Sequence, residues 1–134
     1  MEKTFRVSIS TPFGKYLQTN ADFLKVTSSV GVLGILPNHA PLITTLEICE
    51  LVIKSGNETL SYAISGGLMN IKPGTDVVLL VNSIERSDEI DVERAIQAKM
   101  RAEQRLNEEA VDVTRAKASI ARALNRISVS SKKL

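Results

Sequence analysis

The pattern of apolar and polar positions changes character at residue 90. Before it, apolar residues alternate with polar ones or run in short blocks broken by Gly and Pro. Beyond it there is no Gly and no Pro, and apolar residues recur at helical spacing. Phe5, Val7 and Ile9 alternate and predict a half-buried strand, closed by a turn at Thr11-Pro12-Phe13-Gly14-Lys15. Apolar residues return at Tyr16-Leu17 and from Phe23 to Val26. Glu50 to Lys54 and Leu60 to Ser65 predict two strands of a hairpin around Ser55-Gly56-Asn57-Glu58. Ser65-Gly66-Gly67 then permits a bulge, Leu68 to Ile71 reads as a further strand, and Lys72-Pro73-Gly74-Thr75 as a turn. Val77 to Val81 is continuously apolar, as in a strand covered on both faces. Short strands at this spacing predict a β-sandwich or flattened barrel.

The second unit predicts two helices. Ser87 or Asp88 is expected to cap the first, with the acids of Ser87-Asp88-Glu89 at its positive end. Ala95, Ala98, Ala102 and Leu106 form a seam, Asn107 to Asp112 a short link with Asp112 as the next cap. Val113, Ala116, Ile120, Ala123 and Ile127 form the matching seam. Together they predict an antiparallel hairpin, with a polar, basic tail from Val129 onward. The expected division is 1–87 for the sandwich and 88–134 for the hairpin. Alanine seams hold weakly: about 0.8 kcal/mol per buried methyl stands against about 1–2 kcal/mol per residue for ordering backbone. The hairpin is therefore expected to hold only conditionally, with help from a ligand or partner.

Charge sharpens this division. The 134 residues carry a formal net charge of +2, but residues 1–90 hold 7 Lys/Arg against 9 Asp/Glu, and residues 91–134 hold 10 against 6. The hairpin is the unit suited to an anionic partner. Arg94, Arg101 and Arg105 form one stripe at i, i+7, i+11, and Arg115, Arg122 and Arg126 repeat it. Clustered guanidiniums repel one another unless an anion lies among them, and their forks match phosphate oxygens. Asp91, one turn before Arg94, is placed to accept from a base or ribose. The competing reading is a solvated helix flank with i, i+4 ion pairs.

Other chemistry is poorly represented. Cys49 is alone, which fits a small buried apolar residue better than a nucleophile. There is no phosphate-loop motif, no G-x-S-x-G, no H-E-x-x-H and no Cys/His cluster, so no catalytic or metal-binding residues are expected. Residues 91–134 lack the stacking aromatics of single-strand nucleic-acid binders, so no nucleic-acid partner is expected. No apolar run reaches the ~18 residues of a membrane span, and Met1 to Arg6 shows no secretory signal. Gly31-Val32-Leu33-Gly34-Ile35-Leu36-Pro37-Asn38-His39-Ala40-Pro41-Leu42 places its prolines at a sheet edge or rim, and His39 there suits surface contact.

Four stretches in order, Ser10-Thr11-Pro12, Gly31 to Leu42, Ser65-Gly66-Gly67, and Ile90 to Ala95 with its Ala/Arg-rich continuation, resemble the epsilon subunit of rotary ATP synthases of bacteria and chloroplasts. The resemblance spans nearly the whole chain. It implies an N-terminal sandwich and a C-terminal hairpin in a non-catalytic central-stalk subunit that couples proton flow to ATP synthesis. The implied partners are the gamma subunit, the ring of c subunits, and the beta and alpha subunits of the catalytic head. Membrane association would come only through the complex, on the cytoplasmic face of a bacterial plasma membrane or the stromal face of a thylakoid. The hairpin would inhibit ATP hydrolysis when extended and permit turnover when folded. No cofactor is implied as required. ATP is implied as a regulatory ligand in members carrying Ile/Leu-Asp-x-x-Arg-Ala, met here by Ile90, Asp91, Arg94 and Ala95; Glu85, Arg101, Arg122 and Arg126 correspond to the other ligands. Val32 stands where relatives often carry a Glu that touches the c-ring, which leaves His39 as the implied c-ring contact. A stand-alone ATP-sensing module is the alternative reading.

Overall fold

The structure is a computed structural model, described for residues 4–74, 76–105 and 113–130. Leu106, the link Asn107 to Asp112 and the side chain of Val113 lie outside the described residues, as does Thr75 in the predicted turn.

Eight strands precede two helices: β1 (Phe5–Thr11), β2 (Gly14–Ala21), β3 (Phe23–Ser28), β4 (Gly31–Ile35), β5 (Leu42–Ser55), β6 (Glu58–Ile71), β7 (Asp76–Val81), β8 (Ile84–Arg86), α1 (Val92–Arg105) and α2 (Val113–Ser130). The strands pair in the order β2-β1-β7-β6-β5-β3-β4, with β8 also on β6. All pairs are antiparallel except β1–β7. This is a β-sandwich followed by a helical hairpin, as the sequence predicts.

The central hairpin β5–β6 is longer than predicted, because two expected strands are one. Leu60–Ser65 and Leu68–Ile71 are continuous in β6. Gly66 and Gly67 bend it without ending it, at φ +98° and +151°. The inward parity switches there: Tyr62 and Ile64 point in before the glycines, Met69 and Ile71 after them. β5 switches at the facing position, from Leu46 to Cys49, Leu51 and Ile53. A parity switch in both strands turns the sheet over itself and closes two layers around one aliphatic core. Phe5, Val7, Ile9, Leu24, Val26, Val77 and Leu79 complete that core. Cys49 belongs to it, and burial pushes its thiol pKa up, in keeping with an apolar role.

Three expectations need correction. Val77 to Val81 is covered on one face only: Val77, Leu79 and Val81 are buried, whereas Leu80 is 51% exposed. Its outer face continues across β6, where Leu68 pairs with Leu80 and is also exposed. The first helix is capped by Asp91 and not by Ser87 or Asp88. Ser87–Glu89 forms a 3₁₀ turn, Arg86 holds the Asp88 carboxylate at 2.7 and 2.6 Å, and Asp91 Oδ1 accepts the Arg94 backbone N–H. Finally, α2 runs on through Ser130, and Val129 is fully buried where a polar tail was expected. It packs with Ile90 and Ala63 in a second, small core that seats the hairpin on β6.

Part of the predicted seam forms, whereas Ala98, Ile120 and Ile127 are only half-buried and Ala98 lines the cleft described below. Ala95 and Ala102 of α1 and Ala116 and Ala123 of α2 are all buried, so the helices approach closely in the antiparallel sense.

Candidate functional site

The join of sandwich and hairpin is built from three elements. β8 brings Glu85, facing Ala63 across the β6 ladder. α2 lies over β5 and β6. Its Arg126 reaches Glu85 through Nη2–Oε2 at 3.1 Å. Nε of Arg126 comes within 2.5 Å of Oε1 but makes no aligned hydrogen bond. The pair lines a cleft of about 300 Å³. Arg122 and Ala98 line its sides, and Ser65 and Ser83, whose hydroxyls are 2.6 Å apart, line it from the sheet. Ser119 also lines it and accepts from Arg122 Nη2 at 3.0 Å.

A second, shallower depression lies on α1, lined by Asp91, Glu93, Arg94, Gln97 and Arg101. Arg94 and Arg101 line this depression and not the first cleft, whose Ala98 stands one helical turn from each along α1. Asp91 lines this depression and uses Oδ1 to accept the Arg94 backbone N–H at 3.0 Å. Arg94, Arg101 and Arg122 are exposed.

The eight residues implied as nucleotide ligands therefore divide into three groups. Glu85, Arg122 and Arg126 share the cleft. Asp91, Arg94 and Arg101 share the neighbouring depression. Ile90 and Ala95 are buried and present no side chain to either. Ile90 packs against Ala63 and Val129, and Ala95 faces the helix seam. The arrangement concentrates cationic forks, hydroxyls and one carboxylate beside apolar Ala63, Ala98 and Ala123. Such a lining suits an anion with an attached planar or sugar group.

Reasoning from sequence passed over Asn125. It lines the cleft, and its Nδ2 donates to the Cys49 carbonyl at 2.8 Å and to the Ile64 carbonyl at 3.4 Å. The available signal was its place: an uncharged amide between two arginines of one stripe.

His39 sits on the loop between β4 and β5, with Nδ1 donating to the Ala40 carbonyl at 2.8 Å. Asn38 beside it takes φ +66°, a left-handed turn that Asn tolerates. Val32 and Leu36 nearby are largely exposed. Among the described residues, no group of His, Cys, Asp or Glu is arranged to hold a metal ion, and no helix is long and apolar enough to cross a membrane.

Residues 4–87 match the family model for the ATP synthase delta/epsilon chain β-sandwich domain, and residues 88–131 the model for its long α-helix domain. The chain belongs to the ATP synthase delta/epsilon family. Among its relatives, the ATP synthase epsilon chain of Desulforamulus reducens is 44% identical over 129 residues, covering 95% of this chain and 97% of that one. The epsilon chain of Bacillus cytotoxicus is 41% identical over 133 residues, covering 98% and 99%. A chain in the Euglena gracilis mitochondrial ATP synthase structure, OSCP/F1/c-ring in rotational state 1, shares the fold at a TM-score of 0.80 and 18% identity, covering 98% of this chain and 82% of that one. A chain in the central stalk/c-ring structure from Tetrahymena thermophila does so at 0.62 and 14%, covering 98% and 96%.

Proposed function

We propose that this delta/epsilon-family chain is a non-catalytic subunit of the central stalk of a proton-driven ATP synthase, peripheral to the membrane and attached only through the complex. Residues 1–87 are the docking unit and residues 88–134 the regulatory arm. The sandwich offers two surfaces for docking. One is the outer face of β5, β6 and β7, where exposed Leu68 and Leu80 pair across the ladder and exposed Ile43 lies diagonal to Leu68; an apolar patch of this kind suits a permanent protein partner, and we assign it to the gamma subunit. The other is the β4–β5 rim with Val32, Leu36 and His39, which we assign to the c-ring.

In this reading the hairpin inhibits ATP hydrolysis when extended into the head. Its outward Ile96, Met100 and Leu124, each roughly half-exposed here, then gain an apolar environment, and its basic stripe meets acidic surface of the beta subunits. The folded arm binds ATP, with triphosphate among Arg94, Arg101, Arg122 and Arg126 and the base or ribose toward Asp91. ATP shifts the arm toward the folded form by mass action. The observation that carries this is the cleft at the join, where Glu85 of the sandwich and Arg122 and Arg126 of α2 converge. A ligand there touches both units and so favours their contact.

Titration of the full chain with ATP, followed by amide exchange of α2, tests the nucleotide part. Added protection at millimolar ATP, lost in Arg94→Ala and Arg126→Ala, is expected; no added protection in the wild-type chain removes it. Co-purification with a gamma-type subunit tests the stalk part independently, and its failure favours the stand-alone ATP-sensing module.

A further inference from the structure

We propose that Asn125 is the positioning residue of the arginine cleft: its amide keys α2 onto the sheet, and so fixes where Arg122 and Arg126 stand. The key fits a specific irregularity. Against β3, β5 pairs at Val52 with Lys25 and at Leu46 with Ser28. Only Val26 and Thr27 thus lie opposite the five residues from Glu47 to Leu51. Cys49 is the middle one of the five, and its carbonyl takes the Asn125 amide at 2.8 Å. Ile64, which faces Cys49 in the β5–β6 ladder, supplies the second acceptor. One amide group therefore reads two strands at one rung.

Two further fastenings of α2 among the described residues do not set its register in this way. Val129 lies one turn further on and packs against Ile90 and Ala63, but apolar contact is non-directional and tolerates sliding and rotation. The Arg126–Glu85 pair is partly exposed and spans two long side chains. A slip of one residue turns an α-helix by about 100° and shifts it about 1.5 Å, enough to swing both cleft arginines away from β8. Asn125 precedes Arg126 and follows Arg122 by three positions, so an anchored Asn125 holds both on the cleft side. The inference rests on the folded-arm reading and not on nucleotide binding.

The test is amide exchange on the full chain without nucleotide, comparing wild type with Asn125→Ala and with Asn125→Asp, which keeps the shape but replaces the donor. Loss of a hydrogen-bonded key shifts a two-state balance by about two- to tenfold. In both variants α2 amides are expected to exchange about fivefold faster, while β5 and β6 amides keep their wild-type rates, and the half-saturating ATP concentration is expected to rise although no arginine has changed. Wild-type exchange in α2 of both variants overturns the proposal, and so does equal acceleration throughout the sandwich. If α2 is released but ATP adds no protection even to the wild type, the key stands and the nucleotide reading falls.

Discussion

Arg126 on α2 and Glu85 on β8, 41 positions apart, meet in an ion pair that lines the cleft between the two units. Both side chains retain contact with solvent, so the pair is worth about 0.5–1 kcal/mol and is screened by salt. Raising sodium chloride from about 0.05 to 0.5 M is expected to accelerate exchange of α2 amides, with little change in Glu85→Gln. The same exposure leaves the guanidinium open to a competing phosphate.

Asp91 caps α1, and the proposed nucleotide site gives it a second, separable role. As the N-cap of α1 it satisfies the Arg94 amide, and Asp91→Ala is expected to cost about 1 kcal/mol of helix stability. Asp91→Asn keeps a good cap. Melting of Asp91→Asn close to wild type, combined with weakened ATP binding, separates ligand contact from capping; thermal unfolding and ATP titration of the two variants read this directly.

Gly67 is where the sandwich turns, and a methyl group cannot be placed there. A Cβ at this position would stand 2.1 Å from the Leu80 carbonyl oxygen and 2.8 Å from Val81 Cα, both backbone atoms. Its φ of +151° adds strain for any L side chain. Gly67→Ala is expected to destabilise the sandwich by about 3 kcal/mol or more in urea unfolding. Gly56→Ala, with nothing within 4 Å of its Cβ, pays only for its φ of +63° and is expected to cost about 1 kcal/mol.

Leu80 is exposed and packs no core, so Leu80→Lys is expected to change unfolding stability by less than about 0.5 kcal/mol. It places a charge in the apolar patch, directly beside Leu68. Loss of co-purification with the gamma subunit, at unchanged melting, is the expected result.

The acid limb of stability has a local source. Arg6 and Asp76, partners in the parallel β1–β7 ladder, bond through Nε–Oδ1 and Nη2–Oδ2, each at 3.1 Å. The guanidinium hydrogen bond holds the Asp76 carboxyl below the usual carboxylate range. A native pKa lowered in this way contributes stability that is complete above the ordinary carboxylate value and fades as pH falls through the lowered one. Asp76→Asn is therefore expected to flatten the loss of stability below about pH 4, read from urea midpoints across acid pH.

The two-unit plan was legible because period is local information: alternation before residue 90 and alanines at helical spacing after it. What escaped depends on contacts distant in sequence. Leu68–Ile71 looks like a separate strand because two glycines interrupt it, yet the β5 ladder carries β6 straight through them. Leu80 reads as core because its neighbours are apolar, and only the sheet order reveals an uncovered face. Asp88 looks like a cap until Arg86 is seen holding it. Of the site, regular spacing exposed the arginine stripes, whereas Asn125 acquires meaning only from carbonyls 76 and 61 positions away.

The burial of Ile90 has a mechanical corollary. The residue on which the limb would pivot is roofed by Val129, near that limb's far end. Under the proposed arm motion, an outward swing would have to separate Val129 from Ile90, so the terminal turn and the joint would open together. If the hairpin is the regulatory arm proposed above, trimming the final turn is expected to uncover that pivot and weaken the folded position.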